Sequence, residues 1–98
     1  MNIQVQTENT TCTITLSGRL DTTTAPELEK AVLENTGTCE TLIFDLEDLT
    51  YTSSAGLRVF LKAQKQMNRQ GSMKLIHVCP DIMEIFDVTG FTDILTIE

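Results

Sequence analysis

Between Thr41 and Met67 the hydrophobic residues change their spacing, and this change predicts a strand followed by a helix. Residues 41–46 form an almost unbroken apolar run, as expected for a central strand that is covered on both faces. From residue 55 onward, apolar residues recur at spacings of three and four, as on one face of a helix. They include Leu57, Phe60 and Leu61. A strand that leads directly into a helix favours an α/β fold.

Two alternating stretches near the N-terminus predict a β-hairpin. Residues 3–6 and 12–16 alternate between apolar and polar side chains, and the polar residues 8–10 between them favour a turn. Further along, Thr24 precedes Ala, Pro and Glu27. This order predicts a helix with Thr24 as N-cap and Glu27 completing a capping box. The helix is expected to end within residues 35–37.

The C-terminal part of the chain predicts a strand over residues 73–79, a helix capped by Asp81 and a last short strand over residues 94–97. Gly90 is expected to take a left-handed conformation after that helix. The predicted order is therefore β-β-α-β-α-β-α-β. Because strands that alternate with helices pair in parallel through right-handed crossovers, we expect an α/β fold with a mixed sheet of about five strands. The N-terminal hairpin is antiparallel, and the helices pack on the sheet.

The composition favours one acidic domain with protein partners. The chain has 98 residues, of which 41% are hydrophobic, enough for a single core over residues 1–98. The net charge of −7 disfavours binding to nucleic acid or to an anionic membrane surface. No segment approaches the roughly 20 apolar residues that cross a bilayer, and no secretory signal pattern is present. We therefore expect a cytoplasmic protein without membrane insertion.

Residues that could carry chemistry are few and widely spaced. The three cysteines form no CxxC pair, which predicts reduced thiols and neither a disulfide framework nor a metal site. His77 lies in an apolar strand pattern, with no carboxylate spaced to complete a catalytic site. Asp45, Glu47 and Asp48 match no metal-binding loop. Residues 54–56 are too short for a phosphate-binding loop. We predict no enzyme activity, no catalytic residue, no metal and no cofactor.

Ser53 and Ser54 stand where the predicted strand gives way to the helix. Either hydroxyl could serve as the N-cap by accepting a hydrogen bond from a free N–H group of the first turn. An exposed hydroxyl at the positive end of a helix could also carry a phosphate. A phosphate adds roughly −1.5 to −2 charges, which would alter a docking surface without unfolding the domain. The residues alone leave both roles open.

An Asp-Leu pair, a serine-rich turn and a Gly-Leu pair follow one another between Asp45 and Leu57, and an amphipathic helix comes next. In this order they resemble the anti-sigma-factor antagonists, or anti-anti-sigma factors, built on the STAS domain. Residues 18–21, 24–27 and 90–95 extend the resemblance over nearly the whole chain. It implies the same α/β topology and a non-enzymatic protein that binds an anti-sigma factor and so releases a sigma factor.

The resemblance implies partners and a contact surface. The anti-sigma factor would be a serine kinase of the histidine-kinase-like ATPase type, and a metal-dependent serine phosphatase would reverse the phosphorylation. The implied contact surface is the turn with the exposed flank of the helix that follows. Its residues are Thr52, Ser53, Ser54, Ala55, Gly56, Leu57, Arg58 and Lys62.

One position departs from the family pattern. Many members carry the phosphorylated serine immediately before the Gly-Leu pair, where this chain has Ala55. Phosphorylation is therefore expected at Ser54 or at Ser53, or it is absent. An alternative function is an accessory subunit of a membrane transport complex without phosphorylation, because STAS domains also occur there.

Overall fold

Four strands, in which apolar and polar residues alternate, form one sheet. Their order in the sheet is β1-β2-β3-β4. The computed structural model describes residues 1–98, and its strands are β1 (Asn2–Glu8), β2 (Thr11–Leu20), β3 (Thr41–Thr52) and β4 (Ser72–Ile76). β1 and β2 are antiparallel, whereas β3 is parallel to both β2 and β4. The predicted mixed sheet with an antiparallel hairpin is confirmed.

Three helices accompany the sheet, namely α1 (Ala25–Asn35), α2 (Ser54–Gln70) and α3 (Pro80–Val88). α1 connects β2 to β3, and α2 connects β3 to β4. Both connections move one strand in the same direction across the sheet, so right-handed crossovers place α1 and α2 on the same face. The longest of these helices is still too short and too polar to cross a membrane.

Because α1 and α2 lie on the same face, the opposite face of the sheet is open. Along β3, Leu42 and Phe44 are fully buried, while Ile43 and Asp45 are partly exposed. The expectation that residues 41–46 are covered on both faces is therefore wrong. Their hydrophobic run arises because one apolar residue, Ile43, lies on the open face.

The core lies between the helices and the covered face of the sheet. Phe60 of α2 contacts Phe44 of β3 and Phe86 of α3 edge-on, with ring centroids 5.1 and 6.1 Å apart. Such edge-to-face pairs add to the burial of apolar area. Cys12 and Cys39 are buried in the same core, and burial raises the pKa of both thiols. They therefore pack as small hydrophobic residues.

The prediction of a fifth strand over residues 94–97 is wrong. A 3₁₀ turn over Phe91–Asp93 follows Gly90, whose φ of 79° confirms the predicted left-handed conformation. Only Ile97 forms a bridge, with Leu75 of β4. Leu95 is buried in the core. The sheet therefore has four strands and a single added bridge, since the preceding turn directs this segment into the core before a strand can form.

Two predicted helix caps and one strand end also differ. Thr24 makes no side-chain capping bond, because its hydroxyl oxygen accepts from the Asp21 N–H at 2.8 Å instead, so the predicted capping box with Glu27 is absent. Cys79, not Asp81, precedes α3, and Pro80 occupies the first turn. β4 ends at Ile76 instead of residue 79, since the next residue has a positive φ.

Candidate functional site

The serine turn (Ser53–Leu57) begins where β3 ends, and β3 itself continues several residues beyond the predicted strand over residues 41–46. β3 continues to Thr52 because its last residues pair with the end of β2, with Leu20 opposite Thr52. The Arg19 guanidinium of β2 lies 4.3 Å from the centre of the Tyr51 ring, a cation–π contact with the last part of β3. The Ser53 N–H donates to the Leu20 carbonyl at 2.8 Å. The end of β2 thus fixes where the turn starts.

Ser53 is the N-cap of α2. Its backbone is extended, and its hydroxyl oxygen accepts a hydrogen bond from the Gly56 N–H at 3.4 Å. The Leu57 N–H donates to the Ser53 carbonyl at 3.0 Å, which closes the first helical turn. Ser54 is the first helical residue, and its side chain is exposed. The two serines therefore differ, because the Ser53 hydroxyl is engaged in the cap while Ser54 faces solvent.

Gly56 is required by the close packing of α2 on the sheet. A Cβ atom at this position would lie 2.5 Å from the Thr52 hydroxyl oxygen and 2.6 Å from Leu20 Cγ. Leu57, the next residue, is buried in the core. The Gly-Leu pair thus brings the N-terminus of α2 against the ends of β2 and β3. This contact holds the preceding serines at the surface.

A groove runs beside the turn between α1 and α2, with a volume of about 180 Å³. Ala55 is half-buried and lines the groove instead of pointing to solvent. Lys62 Nζ lies 2.8 Å from Glu29 Oε1 across the groove, with both side chains well exposed. The residues around it are Thr22, Ala25, Pro26, Glu29, Ala55, Arg58, Val59 and Lys62.

The loop between β2 and α1 borders the same site, and sequence reasoning assigned it no role. Asp21 Oδ1 accepts hydrogen bonds from the Thr23 N–H, the Thr23 hydroxyl and the Thr24 N–H, at 3.0, 2.7 and 3.1 Å. These bonds, the Thr23 hydroxyl first, lower the pKa of Asp21 to about 2. The predicted parallel pairing of β2 with β3 could have indicated this loop. Parallel strands end at the same edge of a sheet, so the loop after β2 lies beside the serine turn after β3.

The predicted contact residues form one continuous segment but differ in exposure. Ser54, Arg58 and Lys62 are exposed, and Ser53 and Ala55 are half-buried. Thr52, Gly56 and Leu57 are buried behind them. The first turn of α2 holds no acidic residue, so its free N–H groups and the exposed Arg58 present positive charge at this end of the helix. The surface formed here can bind an anionic or apolar group.

His77 has a carboxylate neighbour that the sequence did not reveal. Its Nδ1 atom lies 3.0 Å from Asp45 Oδ1 on the open face of the sheet. This hydrogen bond and the nearby negative charge raise the pKa of His77. Sequence spacing therefore missed this pair, while the absence of a catalytic residue stays a prediction. The pair forms through the β3–β4 register, which opposes Asp45 to Ile76.

Comparison with known proteins agrees with the fold and with the order of motifs. The family model for the STAS domain matches residues 2–98. The anti-sigma-B factor antagonist of Bacillus subtilis (strain 168) is 30% identical over 98 residues, which covers 99% of this chain and 90% of that protein. The family model thus covers almost the whole of this chain, and the alignment with this relative covers almost the whole of both proteins.

Solved structures show the same architecture. An anti-sigma factor antagonist from Mycobacterium paratuberculosis superposes with a TM-score of 0.87 at 20% identity, covering 98% of this chain and 83% of that chain. The Bacillus cell fate determinant SpoIIAA in its phosphorylated form gives a TM-score of 0.77 at 20% identity, covering 99% and 91%. From the family match, the full-length relative and the shared fold, we conclude that this chain belongs to the STAS domain family, in which its relatives are anti-sigma factor antagonists.

Proposed function

We propose that this chain is an anti-sigma factor antagonist whose binding is controlled by phosphorylation of Ser54. The observation that carries the proposal is the placement of an exposed Ser54 hydroxyl at the first position of α2, beside the groove between α1 and α2. The function of the Bacillus subtilis relative, which matches along almost its whole length, supports the same assignment. The protein acts by binding and carries out no catalysis itself.

Ser54 is favoured over its neighbours by access. The Ser53 hydroxyl accepts the capping hydrogen bond from Gly56, so a kinase would have to break the cap to reach it. Ala55 has no hydroxyl and is half-buried in the groove. Ser54 is exposed and lies outside the cap. The site that many relatives place immediately before the Gly-Leu pair is therefore shifted by one residue.

A phosphate on Ser54 would reverse the charge of this surface. It would add roughly −1.5 to −2 charges next to the N–H groups of the first turn, which stabilise an anion. Arg58 lies four residues further along the helix, on the same side, and can pair with it. The modification would thus occupy the electropositive end of α2 and repel a partner that docks there, while the core stays intact.

The proposed partner is an anti-sigma factor that is also the serine kinase for Ser54. Binding of the unphosphorylated chain would release a sigma factor, and a metal-dependent serine phosphatase would restore the binding form. Arg58 and Lys62 are the exposed charged contacts on the flank of α2. Lys62 already pairs with Glu29, so Arg58 is the cation more readily available to a partner.

The test is site mapping after incubation with a cognate anti-sigma kinase and ATP, combined with a binding measurement. We compare wild type with Ser54→Ala and with Ser53→Asp, in which a carboxylate retains the capping acceptor but cannot be phosphorylated. Ser72→Ala is the matched control, since Ser72 is also exposed. One phosphate is expected on wild type, on Ser53→Asp and on Ser72→Ala, and none on Ser54→Ala.

Loss of partner binding on phosphorylation completes the expected result. A phosphate that persists in Ser54→Ala would refute the assigned site. If the partner binds and no variant carries a phosphate, the phosphorylation switch is refuted. The proposed function as an anti-sigma factor antagonist would then stand without it. Capture of a membrane transport complex instead of a soluble kinase would favour the accessory-subunit alternative.

A further inference from the structure

We infer that Asp45, Glu47 and His77 form a binding site for a divalent transition-metal ion of the zinc class. The three side chains meet on the open face of the sheet, and one donor atom from each lies within 4.8 Å of the other two. The cluster is separate from the serine turn. Asp45 precedes Ser53 by eight residues of extended chain, roughly 25 Å, and α1 and α2 cover the opposite face.

Strand geometry and one unusual backbone conformation bring the three residues together. Asp45 and Glu47 flank the buried Leu46 in β3, where the pairing with β2 shifts register, and their carboxylates lie close together. Asp45 lies opposite Ile76, the last residue of β4. Continued strand would turn the next side chain towards the core, but His77 has a φ of 57°. This left-handed conformation is uncommon outside glycine, and it accompanies an imidazole that lies beside Asp45.

The distances suit a cation after a small movement of one side chain. Asp45 Oδ1 and His77 Nδ1 are 3.0 Å apart. A metal ion with bonds of about 2.1 Å holds neighbouring ligand atoms about 3.0–3.4 Å apart. The first two donors already meet this separation. The Glu47 side chain is exposed, so rotation about its own bonds can bring its carboxylate within the same range.

The donor set determines the class of metal. An imidazole favours zinc and its neighbours over calcium or magnesium, which prefer oxygen ligands alone. Two carboxylates balance the charge of a divalent ion. Three protein ligands leave at least one coordination position open, which water can fill. The amine of Lys74 in β4 pairs with Glu98 at 3.4 Å and forms no ion pair with Asp45 or Glu47.

The test is calorimetric titration of the tag-free protein with zinc chloride, together with proton NMR of the imidazole. Because His77 is the only histidine, its ring signals report on the site without ambiguity. We expect one zinc ion per chain and a shift of the ring signals. Glu47→Gln and His77→Asn should each weaken binding at least about tenfold. Asparagine is chosen because it tolerates a left-handed backbone.

Two controls separate this site from other sources of zinc binding. Glu84→Gln removes an exposed carboxylate on α3, and Cys79→Ser removes the half-buried thiol. Both variants should bind zinc as wild type does. Unshifted ring signals on zinc addition would overturn the inference, as would equal binding by Glu47→Gln or loss of binding in Cys79→Ser alone. Thermal melts of the zinc-free variants confirm that each is folded.

Discussion

The serine turn and the cluster of Asp45, Glu47 and His77 both involve β3, yet they are built in different ways. The turn is one continuous segment, and Gly56 packs it against the ends of two strands. The cluster joins His77 to two residues 30 or more positions earlier in the chain, on an exposed face and through the register of β3 with β4. Substitutions at the packed and capping residues of the turn, Gly56 and Ser53, should therefore lower the free energy of unfolding, whereas substitutions in the cluster should affect only what the cluster binds.

The largest effect is expected for Gly56→Ala. The added Cβ would lie 2.5–2.6 Å from Thr52 and Leu20, so α2 must move away from the sheet. We expect the free energy of unfolding to fall by about 1–3 kcal/mol, as measured by urea denaturation. Gly37→Ala is the matched control, because a Cβ there meets nothing within 4 Å. Equal stability of the two variants would show that the turn is not tightly packed.

The two serines should differ in their contribution to stability. Ser53→Ala removes the oxygen that accepts from the Gly56 N–H, so we expect a loss of about 1 kcal/mol in the free energy of unfolding. Ser54→Ala removes an exposed hydroxyl outside the cap and should change it by less than about 0.5 kcal/mol. Denaturation of both variants without kinase measures this difference. A larger loss in Ser54→Ala would reverse the assignment of the cap.

The loop beside the turn should make stability depend on pH in the acid range. The folded-state pKa of Asp21 is about 2, below its usual value of about 3.9. Its contribution is therefore complete above the usual pKa and is lost as pH falls towards about 2. Asp21→Asn keeps an acceptor that does not titrate, so the stability of this variant relative to wild type should rise as the pH falls through this window.

Unfolding free energies of wild type and Asp21→Asn between about pH 5 and pH 2 measure the effect. Asp81→Asn, on the first turn of α3, serves as the control for removal of a negative charge. A constant difference between wild type and Asp21→Asn over the whole range would contradict the lowered pKa.

The smallest effect is expected in the cluster. The Glu47 side chain is exposed and on the open face, so Glu47→Gln should alter the zinc-free free energy of unfolding by less than about 0.5 kcal/mol. The same variant should lose zinc affinity. Denaturation with and without zinc separates the two effects. A large loss of stability without zinc would mean that the cluster is part of the folding core and would remove the contrast with the turn.

Local sequence determined the elements whose causes lie within a few residues. Alternation over residues 3–6 and 12–16 indicated the hairpin, and the spacing after residue 55 indicated α2. The serine turn was predicted in place because Ser53, Gly56 and Leu57 act within a single helical turn. Residues 94–97 were misassigned because an apolar run alone does not distinguish a strand from a segment that turns into the core.

Tertiary structure decided what depends on neighbours distant in the chain. The extension of β3 to Thr52 requires the end of β2, and the open face follows from two crossovers in the same direction. The approach of His77 to Asp45 requires one strand register and one left-handed residue. Periodicity reports which side of an element is apolar, whereas only the packed sheet determines which polar groups from different strands share a face.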